Sequence, residues 1–269
     1  MDTALDAGAP LQARLLAIAR RESVRALAAL AAPTAANVHA ARKSIKRLRA
    51  WLRLLRAHIG AQYRLIDRLL RDAARQLGGR RDAEVAVQTL RSLRRARRID
   101  AEHYRQLSAL LAQTPPATAS RDAATHAALT LLSAASVYIE ELALPALDAA
   151  ELLAALERTR RRCRRECKRA KSAPSAATLH DWRKWVKHLL TQAQWVQALL
   201  GVTDMDLDAL KALGEDLGRH HDLAELQRRL EAAGLDRQPL VHLRLRDAVA
   251  RGQQSLESRA LLRGARLLR

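Results

Sequence analysis

Two stretches of equal length, VHAARKSIKRLRAWLRLLRAHI at 38–59 and LHDWRKWVKHLLTQAQWVQALL at 179–200, align without gaps 141 residues apart. Their apolar positions agree, and these positions recur at intervals of three, four and seven, as on the buried stripe of a helix. Their basic positions agree as well: His39 with His180, Arg42 with Arg183, Lys43 with Lys184, and Lys46 with Lys187. The two stretches therefore predict a pair of equivalent amphipathic helices.

A second pair of motifs repeats at nearly the same interval. LGGRRD at 77–82 corresponds to LGRHHD at 217–222. Two matches in nearly the same register favour an internal duplication of about 140 residues, each copy a bundle of about four helices. We predict a short N-terminal tail at 1–10, a first helical-bundle repeat at 11–145 and a second at 146–269, related by pseudo-symmetry.

The local pattern predicts an all-α protein. Ala, Leu and Arg dominate, few residues are β-branched, and no strand pattern of any strength is present. Prolines and Gly60 punctuate the periodic segments. The predicted helices cover about 11–31, 36–58, 61–77, 81–112, 121–143, 148–172, 176–200, 205–233 and 238–268.

The charge balance narrows the class of partner. The 269 residues include 48 Lys and Arg against 28 Asp and Glu, a formal charge of +20. Such an excess favours a polyanion: nucleic acid, an acidic membrane surface or inorganic polyphosphate. The chain has four Trp, three Tyr and no Phe, so aromatic platforms for unpaired bases are scarce. A ligand made of phosphate alone suits this composition best.

Other features bear on location. No apolar run approaches the roughly 20 residues of a membrane span, so no membrane insertion is expected. The first residues lack the pattern of a secretory signal. Cys163 and Cys167 are too few for a disulfide framework, which favours a reducing compartment. We therefore expect a cytoplasmic protein.

The repeated helices carry the candidate site. The basic positions of each lie along one flank of the apolar stripe, about one turn apart, where they can contact successive phosphoryl groups of an extended chain. The alternative is a solvated basic face without a ligand. We favour a functional site, because a duplicated row can line one groove.

The pattern H-x-x-R-K-x-x-K-R-L-R at His39, repeated as H-x-x-R-K-x-x-K-H-L at His180, resembles the CHAD family, the conserved histidine α-helical domain. The resemblance extends from about residue 10 to the C-terminus. It implies two four-helix bundles and non-catalytic binding of inorganic polyphosphate on a basic surface, with polyphosphate granules as a place of action. It assigns the binding role to His39, Arg42, Lys46, Arg47 and Arg49 in the first half, and to His180, Arg183, Lys184, Lys187 and His188 in the second. Lys43 joins the predicted site because it belongs to the same row and matches Lys184.

The sequence departs from the family at two points. The second copy usually continues with Lys/Arg-Leu-Arg-Tyr, whereas this chain continues with His188, Leu189, Leu190 and Thr191. CHAD domains are often fused to a CYTH phosphohydrolase domain, but its E-x-E-x-K signature does not occur here. The chain is therefore expected to be a stand-alone binding domain.

A dense basic run, RTRRRCRRECKRAKS at 158–172, precedes the His180 helix. A nuclear-localisation or general nucleic-acid patch is the alternative for such a run. Because it adjoins the second row, we predict that Arg162 and Arg165 extend the phosphate-binding surface, together with Arg21 at the equivalent place in the first copy.

The remaining chemistry-bearing residues do not suggest an enzyme. Two cysteines fall short of a four-ligand metal site. His220 and His221 precede Asp222, for which a structural ion pair with a neighbouring basic residue is expected. The tryptophans are expected to lie in the core. No set of catalytic residues is recognisable, so we expect binding without catalysis, metal or cofactor. A nucleic-acid or nucleoid protein is the first alternative, and a phosphohydrolase with an unrecognised site the second.

The histidines allow one further expectation. An adjacent row of Arg and Lys should lower the pKa of His39 and His180 from about 6.5 in the empty protein. A bound polyanion should reverse that effect, so affinity should rise as the pH falls from about 8 to 6.

Overall fold

A computed structural model describes residues 8–113 and 121–268, and the side chains of 79–82 and 121 lie outside this description. The described residues form helices and no strand, as the sequence predicts. The helices are α1 (Leu11–Ala31), α2 (Ala35–Leu54), α3 (Arg56–Ile59), α4 (Gln62–Gln76), α5 (Gly79–Arg95), α6 (Ala101–Gln113), α7 (Arg121–Glu140), α8 (Ala149–Ser172), α9 (Ala176–Leu200), α10 (Leu207–Ala232) and α11 (Pro239–Leu267), with a 3₁₀ turn at Leu235–Arg237. None of these helices is both long enough and apolar enough to cross a bilayer.

The helices form two compact units that alternate along the chain. Unit 1 comprises Met1–Gly78, Ala119–Arg161 and His188–Leu207; unit 2 comprises Gly79–Thr118, Arg162–Lys187 and Asp208–Arg269. The units therefore differ from the consecutive halves predicted at 11–145 and 146–269. The reason is that α8 and α9 are long, and each contributes one end to unit 1 and the other to unit 2.

The core of unit 1 is built on α1 and α2. Ile18, Ile45 and Leu48 are fully buried, in keeping with the predicted stripe. The indole N–H of Trp51 donates to the carbonyl of Leu15 (2.8 Å) and joins α2 to α1. These contacts fix the rotation of α2, and hence which of its residues reach the surface.

The core of unit 2 contains a leucine cluster from α5, α6, α10 and α11, including Leu90, Leu107, Leu226 and Leu245. Trp182 of α9 is fully buried and lies against Gly264 of α11. A Cβ on Gly264 would stand 2.5 Å from Cζ2 of the indole, so the glycine allows close packing of the two helices.

The segment predicted as one helix at 81–112 is two helices, which corrects the sequence-based expectation. Arg97 adopts a positive φ of 53°, the N–H of Arg98 donates to Leu93, and the N–H of Arg97 donates to Arg94. This pattern is a Schellman motif, which ends a helix and usually uses glycine at the left-handed position. Asp100 then accepts from the N–H of His103 (2.8 Å) near the start of α6.

Candidate functional site

The first row, defined as His39, Arg42, Lys43 and Lys46, lies on α2 in unit 1. Thr34 caps this helix by accepting from the N–H of Asn37 (3.2 Å). His39, Lys43 and Lys46 are exposed, whereas Arg42 is half-buried. The periodicity of the helix thus presents an imidazole and two ammonium groups to solvent along one flank.

Arg42 is bound to the fold. Its Nη1 donates to the carbonyl of Leu77, just after α4, and the same atom lies 3.7 Å from the position that a Cβ would take on Gly78. The arginine of the first row therefore packs on the Leu-Gly motif of its own unit.

The two arginines that follow the first row on α2 form ion pairs with acidic residues of other helices. Arg47 donates to Glu22 (2.7 Å), a buried carboxylate of α1, and its guanidinium lies 5.3 Å from the ring centre of Trp195. Arg49 donates to Asp67 of α4 (2.8 Å). Sequence reasoning placed both arginines in the binding site, and the structure gives them ion pairs that join helices.

Asp67 also accepts from Arg53 (3.3 Å). Burial alone would raise the pKa of its carboxyl, but the hydrogen bonds and charges of Arg49 and Arg53 outweigh burial and lower the pKa. His188 is close to these groups. Burial, then the charges of Arg53 and Arg49, lower the pKa of His188 to about 3. His188 is therefore a neutral, partly buried ring in unit 1.

The second row, defined as His180, Arg183, Lys184 and Lys187, lies on α9 in unit 2. The start of this helix is capped reciprocally, because the N–H of Thr178 donates to Ser175 Oγ (3.1 Å) and the N–H of Ser175 donates to Thr178 Oγ1 (3.0 Å). Lys184 and Lys187 are exposed, and Arg183 is half-buried. The arginine and the two lysines are thus exposed to the same degree as their counterparts in the first row, whereas His180 is half-buried and His39 is exposed.

Arg183 also repeats the environment of Arg42. Its Nε lies 3.7 Å from the position of a Cβ on Gly218, the glycine that corresponds to Gly78. One difference is an acid, Asp181, which accepts from Lys184 (3.1 Å) and lies 3.8 Å from Arg169. The first row carries Ala40 at that position.

The imidazole of His180 packs against that of His221, with 4.3 Å between ring centres and the ring planes tilted by 33°. Burial, then His221, Lys184 and Arg183, lower the pKa of His180 to about 4. The expected direction of the shift is confirmed for His180. Sequence reasoning did not anticipate the part played by His221, although its position beside the Leu-Gly motif was visible.

The residues proposed to extend the rows have different environments. Arg165 is exposed. Arg162 lies 2.7 Å from the buried carboxylate of Glu166 and 5.3 Å from the ring centre of Trp185. Arg21 is half-buried on α1, and its buried Nε has no hydrogen-bond partner among the described residues. Of these three, Arg165 is the residue best placed to meet a ligand directly.

Similarity to known proteins extends over most of the chain. The family model of the CHAD domain matches residues 9–231. The chain belongs to the CHAD domain family. Two solved structures share its fold: the CHAD domain from the plant Ricinus communis (TM-score 0.61, 22% identity, covering 95% of this chain and 88% of that one) and PptA from Streptomyces chartreusis (TM-score 0.69, 18% identity, covering 96% and 100%). No curated protein matches the chain.

The cysteines of this CHAD domain remain thiols. Burial raises the pKa of Cys163 to about 12, and burial also raises the pKa of Cys167. The thiolate is the form that ligates metal, so these sites disfavour it. Within 8–113 and 121–268, no group of three or more His, Cys, Asp or Glu is arranged to hold a metal ion.

The ion pair expected for Asp222 is not formed within the described part of the CHAD domain. Nearby arginines have other acids: Arg219 lies 3.6 Å from Glu215, and Arg259 donates to Asp216 (2.9 Å). Asp216 is buried and also accepts from Arg263 (3.2 Å). The structural ion pair of this region therefore belongs to Asp216 rather than Asp222.

Proposed function

We propose that this CHAD domain binds inorganic polyphosphate through the first and second rows and catalyses no reaction on it. The observation that carries the proposal is the matched exposure of lysines at equivalent positions: Lys43 and Lys46 on α2, Lys184 and Lys187 on α9. Membership of the CHAD domain family and a formal charge of +20 support the same conclusion.

The two kinds of cation have different roles in this proposal. Arg42 and Arg183 are half-buried beside a glycine and hold each row against its own unit. The exposed lysines meet the ligand. An ammonium group is a mobile point charge that donates hydrogen bonds to phosphate oxygens in many orientations, which suits a flexible polyanion without base edges or a fixed groove width.

Polyphosphate is favoured over nucleic acid because the rows contain no aromatic platform. Trp51, Trp182 and Trp195 are buried, and Trp185 is half-buried near Arg162. Binding of unpaired bases normally adds stacking on exposed rings to the attraction of the backbone. Here the tryptophan rings contribute to packing, so the rows would recognise a ligand through charge alone.

A direct titration tests the proposal. Long-chain polyphosphate and duplex DNA of equal total phosphate are titrated into the protein at about 150 mM salt, where non-specific DNA contacts are largely screened. We expect polyphosphate to bind more tightly than DNA. Equal affinities would replace the proposal with a nucleic-acid-binding protein.

Catalysis is tested in the same samples. The protein is incubated with polyphosphate and Mg²⁺, and released phosphate is measured against a sample without protein. We expect no release above this background; release that scales with protein concentration would identify a phosphohydrolase. A cytoplasmic place of action on polyphosphate granules belongs to this proposal, and imaging of a fluorescent fusion beside stained granules tests it.

A further inference from the structure

Unit 2 contains a concave pocket of about 470 Å³ between α5, α10 and α11, and no residue of either row lines it. Buried leucines line part of it: Leu93, Leu223 and Leu256. Charged residues line another part: Arg98, Arg219, Asp222 and Arg259. This volume and this combination of an apolar surface with a few polar groups are typical of small-molecule sites.

Arg98 is held in the pocket by the backbone. The Schellman motif at Arg97 directs the chain so that the N–H of Arg98 donates to Leu93. Its guanidinium lies over Gly252, where a Cβ would stand 2.8 Å from Nη1 and 2.9 Å from Cδ1 of Leu223. The glycine therefore provides the space that the guanidinium occupies.

The guanidinium of Arg98 has no acceptor among the residues that the structure describes. The other two arginines of the pocket are already paired, Arg219 with Glu215 and Arg259 with Asp216. A half-buried cation without a partner favours an anion from outside, and guanidinium geometry matches two oxygens of a phosphoryl group.

Asp222 faces the same pocket and likewise has no cationic partner in the described part of the chain. A half-buried carboxylate accepts hydrogen bonds, and neighbouring hydroxyl groups of a sugar are well suited to supply them. Counting only the described residues, the pocket thus combines a cation and an acceptor that lack ion-pair partners with an apolar surface.

We propose that this pocket binds a nucleoside monophosphate. The phosphoryl group pairs with Arg98, the ribose hydroxyls donate to Asp222, and the base packs on Leu93, Leu223 and Leu256. The site shares no lining residue with the rows and does not depend on the proposed binding of polyphosphate.

Isothermal titration of the full chain with AMP and with CMP, at about 150 mM salt, tests the site. We expect at least one to bind with a Kd below about 1 mM, and inorganic phosphate and the free nucleosides to bind at least about tenfold more weakly. Arg98→Gln and Asp222→Asn should each weaken binding about tenfold or more. Gly252→Ala should weaken it as well, because its Cβ displaces the guanidinium.

Arg95→Gln is the matched control, because Arg95 is an exposed arginine of α5 that does not line the pocket. It should leave binding unchanged, and circular dichroism should show that every variant is folded. Failure of both nucleotides to bind, equal binding of inorganic phosphate, or unchanged binding by folded Arg98→Gln would each overturn the proposal. So would loss of nucleotide binding on replacing Lys184 and Lys187, whereas a failure of polyphosphate to bind would leave it standing.

Discussion

Arg183 lies against Gly218, with 3.7 Å between its Nε and the position that a Cβ would take on the glycine. Arg42 likewise lies against Gly78 in the other unit, where its Nη1 is 3.7 Å from the position that a Cβ would take on the glycine. The arginine of the His-x-x-Arg motif therefore contacts the glycine of the Leu-Gly motif. In unit 2 these two residues are 35 positions apart in the sequence. This contact explains why the motifs occur together in each copy.

Two glycines of unit 2 differ in the space around them, and this difference predicts opposite effects on stability. Gly218→Ala places its Cβ at ordinary contact distance and should leave the free energy of unfolding unchanged or raise it by at most about 1 kcal/mol, since alanine favours helix. Gly264→Ala forces its Cβ to within 2.5 Å of the Trp182 ring and should destabilise by about 1–3 kcal/mol. Urea denaturation of the two variants measures both, and equal stabilities would contradict the packing described for Trp182.

The lysines of the rows should contribute to binding without supporting the fold. We expect Lys43→Ala with Lys46→Ala to weaken polyphosphate binding by about 1–3 kcal/mol, and Lys184→Ala with Lys187→Ala to do the same, because each charge-assisted contact is lost at the surface. The melting temperature should not change. Arg68→Ala removes an exposed charge of α4 outside the rows and is the control for net charge. An effect from only one lysine pair would show that one row binds alone.

Ala40 and Asp181 occupy equivalent positions in the two rows and allow a reciprocal exchange. Asp181 pairs with Lys184 and repels a polyanion, so Asp181→Ala should raise affinity for polyphosphate about two- to tenfold. Ala40→Asp should lower it by a similar factor. The effects should shrink as salt increases, because they are electrostatic. Binding that responds to neither substitution would place the ligand away from the N-terminal ends of α2 and α9.

His180 should give polyphosphate binding a dependence on pH. Its pKa is lowered to about 4 in the empty site, mainly by burial and also by His221, Lys184 and Arg183. A bound polyanion favours the protonated ring, so binding takes up a proton, and affinity rises as the pH falls below about 6.5 towards 4. This window is lower than the range of about 8 to 6 expected from sequence, because burial adds to the effect of the charges.

Isothermal titration calorimetry with polyphosphate at several pH values between about 7.5 and 5 measures this rise in affinity. His180→Gln keeps a hydrogen-bond donor but does not titrate, so its profile should be flatter than that of the wild type. The same rise in the variant would remove His180 from the site.

Asp67 should contribute more to the stability of unit 1 than Asp204 does. Asp67→Asn removes the partner of Arg49 and Arg53 and should destabilise by about 1–3 kcal/mol. Asp204→Asn, which removes an exposed partner of Arg160, should have an effect near zero. Because the pKa of Asp67 is lowered in the folded protein, its contribution is complete above the ordinary value of 3.8 and is lost as the pH falls through the folded value. Denaturation at pH 7 and at pH 3 should therefore show a smaller deficit for Asp67→Asn at the lower pH.

The sequence predicts the helices well because their buried stripes are local and periodic. It misses the division of the segment 81–112 into two helices, because the left-handed residue there is Arg97 rather than glycine. It also treats all the basic residues of α2 alike. Arg47 and Arg49 form ion pairs with Glu22 and Asp67, which lie on other helices. Their pairing depends on tertiary packing, and no spacing within α2 reveals it.

The interleaved connectivity of the units has a consequence for synthesis on the ribosome. Unit 1 uses three separate segments, the last of which ends at Leu207, and unit 2 ends at Arg269. A nascent chain therefore lacks part of its first unit until about three-quarters of the protein has been made. Domains that occupy one continuous stretch fold in order from the N-terminus. In this chain, by contrast, both units lack segments for most of translation. A chain truncated at the end of α7 would contain neither unit complete.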